Sequence, residues 1–119
     1  MSILSPILVL LTAALFCYIM YLETFVTTSP ATARVFTLSQ AQLVEPRFNV
    51  LMSNQGIYNG CIALMLAYSV LFAAQAKETA ILLLLNCIAV TACGAFTSNK
   101  SILLKQGGLP ILALISLWF

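Results

Sequence analysis

The sequence predicts an all-α integral membrane protein. Its expected architecture is a four-helix up-down bundle, one transmembrane domain over residues 1–119, with a long polar connection between the first and second helices. Three observations predict this. The chain is 62% hydrophobic and 7% charged, with a mean hydropathy of +1.08, whereas a soluble domain carries about 25% charged residues. The charges, Glu23, Arg34, Glu45, Arg47, Lys77, Glu78, Lys100 and Lys105, fall in the gaps between apolar runs. Four such runs, 3–22, 56–74, 80–96 and 102–119, reach or approach the roughly 20 residues a membrane crossing needs.

The first helix is expected at about 3–25. Ser5-Pro6 suits a first turn, because proline's missing N–H would be unpaired there in any case. The apolar run is too long for a signal peptide and has no basic stretch before it. It ends on Tyr18 and Tyr21, aromatic residues that favour the membrane interface, and then on Glu23. As a helix-end carboxylate Glu23 would be solvated; as an inward group it shares a face with Phe16 and Met20 at helical spacing.

The connection, about 26–45, is too polar to span. Ser29 before Pro30 reads as a helix cap, and Ser39 with Gln42 fits a capping box. Glu45-Pro46 restarts a helix expected over about 46–75. A helix of that length, ~44 Å at 1.5 Å per residue, exceeds a hydrocarbon core of ~30 Å, so its first turns lie at the interface. Those turns carry the densest polar stretch of the chain, Asn54-Gln55-Gly56-Ile57-Tyr58-Asn59-Gly60. Gly56 and Gly60 form a GxxxG pair that lets another helix approach closely. The amides fit two roles, glue between helices or a polar site.

The third helix, about 79–97, places Asn86 near mid-membrane, with Val90, Cys93 and Gly94 on the same face, expected to pack inward. The fourth, about 102–119, starts with Lys105-Gln106-Gly107-Gly108-Leu109-Pro110, poor helix material that predicts kinked or partly unwound first turns.

The net charge of +2 is too small and scattered for nucleic acid. There is no histidine, and the four cysteines lie in apolar runs without a CxxC spacing. No metal site or cofactor is therefore expected. Both termini and the turn near Lys77 share one side; Arg34, Arg47, Lys100 and Lys105 share the other. The positive-inside rule then puts the termini outside and the two other connections in the cytoplasm, for a multi-pass protein of the cell membrane.

Glu23, Asn54, Gln55, Tyr58, Asn59, Lys105 and Gln106 would then gather at the cytoplasmic end as a candidate ligand pocket. Gly56, Gly60, Asn86 and Gly94 would serve helix packing. The leading expectation is a protein that binds or moves a small amphipathic or hydrophobic molecule. Its partners would be the lipid bilayer, such a ligand and a second copy of itself. Alternatives are a membrane enzyme on a lipid-like substrate, lacking an evident nucleophile–base pair, and an accessory or scaffold subunit of a membrane complex.

Several segments together resemble a known family. They are Tyr18-Ile19-Met20-Tyr21-Leu22-Glu23 with Phe25, Arg34-Val35-Phe36 with Leu38, Asn54 to Gly60, and Gln106-Gly107 with Pro110. The pattern resembles the family of domain of unknown function 1304. The resemblance implies a small four-helix membrane protein and brings no substrate or cofactor with it. Members often carry a Glu-His pair two turns before the first-helix glutamate. Leu15 and Phe16 stand there in this chain, so no role that needs that histidine carries over.

Overall fold

The computed structural model describes the backbone of residues 3–97 and 101–118 and the side chains of residues 3–93 and 106–118. Among the described residues the structure is all-helical. Helix α1 spans Leu4–Met20 and widens without a break into a π-helical turn, Tyr21–Phe25. Two short helices cross the connection, α2 at Pro30–Phe36 and α3 at Gln40–Leu43. Three long ones follow: α4 at Pro46–Leu71, α5 at Ala76–Thr97 and α6 at Ser101–Ser116.

Local chemistry accounts for the connection. The Ser29 hydroxyl accepts the Thr32 N–H at 3.1 Å, with Pro30 opening α2. Thr37 then stops that helix in the left-handed region at φ 56°. Ser39 and Gln42 exchange bonds in a capping box, Ser39 N to Gln42 Oε1 at 2.9 Å and Gln42 N to Ser39 Oγ at 3.2 Å. The Glu45 carboxylate caps α4 through the N–H groups of Arg47 and Phe48. Each device satisfies amide donors that a helix start leaves without partners.

The long helices pack side by side in the cyclic order α1, α4, α5, α6, and the α4–α5 contact is the least extensive of the four. On each, one stripe of buried positions alternates steps of four and three. In α1 and its π turn the stripe is Ser5, Val9, Thr12, Phe16, Ile19 and Glu23, with Ala13 and Leu22 buried beside it. Met52, Gly56, Asn59, Ala63 and Leu66 follow the same rule in α4; Ala80, Leu84, Cys87 and Thr91 in α5; Gln106, Pro110, Ala113 and Leu117 in α6. That spacing is the narrow seam of helices crossing at a shallow angle, as in coiled coils. Where the start of α1 meets the end of α6, the Ser5 hydroxyl donates to the Ser116 carbonyl at 2.9 Å, in a fully buried contact.

Three expectations change. The Asn86 face of α5 does not pack inward: Asn86, Val90 and Cys93 are exposed, and the seam runs through Leu84, Cys87 and Thr91 instead. The start of α6 is not unwound, since the backbone stays helical across Gly107, Gly108 and Pro110. Pro110 removes one helical hydrogen bond, but it is buried in the seam that holds α6 against its neighbours. The widened turn lies in α1 instead. Finally, among the described residues two segments, Leu4–Phe25 and Ala76–Cys93, are long and apolar enough to cross a membrane, where four are expected over the whole chain. Helix α4 is longer than either, but its amides dilute it, and the described apolar part of α6, Gln106–Ser116, is shorter.

Candidate functional site

The π turn places Glu23 at the seam between α1 and α4, where it is 0% exposed. A π turn leaves carbonyls of the helix without their usual donors, and a cluster of threonines supplies replacements. The Thr27 hydroxyl donates to the Glu23 carbonyl at 2.7 Å. The Thr32 hydroxyl, reaching over from α2, lies 3.0 Å from the Leu22 carbonyl and 2.8 Å from that of Val26. The Thr24 hydroxyl donates across the helix pair to the Ser53 carbonyl at 2.9 Å.

Two glycines of α4 give the π turn room. A methyl group on Gly56 would overlap Thr24 Oγ1 and stand 3.0 Å from the Glu23 Cβ, while one on Gly60 would overlap the Met20 sulfur. The GxxxG pair thus seats the end of α1, and only a side chain of hydrogen lets the carboxylate come this close to the α4 backbone.

Within that contact Asn59 Nδ2 donates to Glu23 Oε1 at 2.6 Å, both residues being buried. The other carboxylate oxygen, Oε2, is buried and has no hydrogen-bond partner among the described residues. No cavity separates the two side chains, because they touch. Asn59 also lines a cleft of about 540 Å³ between α4 and α5, together with Phe16, Gln55, Tyr58 and Asn86. The walls are otherwise apolar, including Ile62, Met65 and Val90. A cleft of this size with a few polar groups in apolar walls suits a small molecule. A second groove of about 600 Å³, near Tyr68, Phe72 and Leu82, is almost wholly apolar and has no such polar cluster.

The residues singled out from the sequence therefore separate. Glu23 and Asn59 meet directly; Gln55 and Tyr58 join Asn59 at the cleft; Asn54 is exposed and does not line it. Gln106 is buried on α6, away from the cleft lining. The side chains of Lys105 and Gly94 lie outside the described residues. Phe16 and Asn86 are additions to the site. Phe16 was legible only as a helical neighbour of Glu23, and Asn86 turns on which way α5 is rotated. The supporting hydroxyls had a signal in the sequence, the run of Thr24, Thr27, Thr28, Ser29 and Thr32 directly after the glutamate.

Comparison with known proteins agrees over nearly the whole chain. The family described as "Protein of unknown function (DUF1304)" matches residues 10–118. A relative from Lactococcus lactis subsp. lactis (strain IL1403), "Uncharacterized protein YpaA", is 51% identical over 119 residues, covering 100% of both chains. No solved structure matches.

Proposed function

The chain belongs to the DUF1304 family, and we propose that it is an integral membrane four-helix bundle that binds a small amphipathic or hydrophobic molecule in the α4–α5 cleft. The observation that carries this reading is Glu23: a fully buried carboxylate with one oxygen unpartnered among the described residues, one side chain removed from a cleft of ligand size. Ionisable groups within membrane segments are costly and are retained where they serve a site. A π turn whose carbonyls are served by Thr27 and Thr32 around that carboxylate is a further mark of function, since such turns concentrate at functional sites.

The membrane part of the reading rests on the outer surface. Leu64 at 71%, Leu82 at 70% and Phe72 at 73% exposure stand on α4, α5 and their turn, an apolar surface suited to lipid. Arg34 and Arg47 are exposed at the end that carries Glu23, and on the positive-inside rule that end faces the cytoplasm. The cleft opens between two helices, so a molecule dissolved in the bilayer can enter sideways. Movement across the membrane would call for a second copy, because one bundle of this size encloses little volume.

The test uses the purified full chain in nanodiscs and the fluorescent probe N-phenyl-1-naphthylamine. Saturable binding is expected, and Val90→Trp, which fills the cleft from an exposed position, should abolish it without changing the melting temperature. Unchanged binding in a folded Val90→Trp protein would remove the cleft from consideration.

A further inference from the structure

Who the ligand is follows from the charge balance of the site, an inference that rests on the cleft reading above. Among the residues whose side chains are described, Glu23 is the ionisable group that reaches the cleft, through the Asn59 that lines it. Among the described residues neither a lysine nor an arginine lines the cleft, and the carboxylate accepts a single bond, from a neutral amide. Arg34 and Arg47 are exposed on the connection and at the first turn of α4, and Lys77 is exposed in the first turn of α5, beyond the far end of α4. In its ionised form this carboxylate, with no lysine or arginine beside it among the described residues, acts at long range in a medium of low dielectric.

Asn59 passes that charge on. One of its two Nδ2 hydrogens is committed to Glu23. Asn59 keeps Oδ1 as an acceptor and one N–H as a donor for the cleft it lines. Donation to a carboxylate polarises the amide and strengthens that oxygen as an acceptor. The aromatic lining completes the pattern. Phe16 and Tyr58 present rings to the same space, and ring faces attract cations. The site therefore combines an acceptor backed by a carboxylate with bordering rings.

We propose that the α4–α5 cleft selects amphiphiles with a cationic, N–H-bearing head, an organic ammonium, over neutral or anionic molecules of the same shape. The ammonium sits between Asn59 Oδ1 and the Tyr58 ring, with Glu23 behind the amide supplying the charge, and the apolar tail lies along Ile62, Met65 and Val90. Glu23 acts here through Asn59 and is a positioning residue.

Three probes of one skeleton test this: 4-phenylbutylamine, 4-phenylbutanol and 4-phenylbutyrate, titrated calorimetrically into the full chain in nanodiscs. The amine is expected to bind about tenfold or more tighter than the alcohol, and the carboxylate weakest. Glu23→Gln keeps the shape and the hydrogen bond and should bring amine and alcohol to about equal affinity. Tyr58→Leu, at a residue 74% exposed and so without a part in folding, should weaken the amine by about twofold to tenfold and leave the alcohol unchanged.

Amine and alcohol binding equally to the native chain overturns the cation preference and leaves the cleft reading standing. Stronger binding of the carboxylate overturns it too, by showing that a lysine sets the field. A preference that survives Glu23→Gln takes the charge away from Glu23. If no probe binds, N-phenyl-1-naphthylamine included, the cleft reading itself falls.

Discussion

Gly56, Gly60 and Gly108 are the same residue in three different surroundings. A methyl group at Gly56 meets the Thr24 hydroxyl, itself tied to Ser53, and the Glu23 Cβ; at Gly60 it meets only the flexible end of Met20; at Gly108 it meets nothing within 4 Å. Alanine should therefore destabilise at 56 by about 1–3 kcal/mol through overpacking, and at 60 by less, because the methionine can move. At 108 it should stabilise by up to about 1 kcal/mol through helix propensity. Melting of the three variants in one detergent checks the order. A Gly56→Ala protein as stable as Gly108→Ala would mean that α1 does not approach α4 there. The amide-rich stretch stood out in the sequence by composition alone. What each amide does was not legible, because polar groups surround that part of α4 on every side. Asn59 faces Glu23 only because positions 56, 59 and 63 form the seam, and Asn54 misses it by a fraction of a turn.

At the scale of elements, legibility follows the range of the interactions. The caps at Ser29, Ser39 and Glu45 act over two or three residues, so the sequence carries their whole signal. The π turn depends on Thr32, ten residues beyond the Leu22 carbonyl it serves, and no local pattern announces it. The glycines and proline of α6 pointed to a loosened helix, yet tertiary packing overrode local propensity and kept it regular. The inward face of α5 is illegible for a related reason: an apolar helix with Leu82, Leu83, Leu84 and Leu85 in a row gives little sense of direction. Thr32→Val keeps the side-chain volume while deleting the donor that serves the π turn. The loss should be about 1–3 kcal/mol, the cost of an unsatisfied buried carbonyl, and amide exchange should quicken over residues 21–26. Unchanged exchange there would show that the turn stands without α2.

For the whole molecule, the all-helical class and the membership of the family were legible from apolar run length and from a few motifs spread across the chain. The rotation of α5, which decides where a cleft can open, was not. The proposed orientation makes a direct prediction in a cysteine-free background. Gln75→Cys, in the α4–α5 turn, should react with an impermeant maleimide in intact cells, and Ser39→Cys only after permeabilisation. The reverse pattern would invert the protein in the membrane and place Glu23 at the outer face.

The bond between Glu23 and Asn59 joins residues 36 positions apart in the chain, and that separation is also an interval of time. At about 5–20 residues per second, synthesis reaches Asn59 roughly 2–7 s after Glu23. In a bilayer α1 would spend that interval holding a carboxylate that lipid cannot solvate, and α4 would arrive with amides that make it a poor solute alone. Each helix is the other's solvent. On the proposed membrane reading, insertion of this chain would be a paired event, in which the first helix would linger beside water or the insertion machinery until its partner emerges.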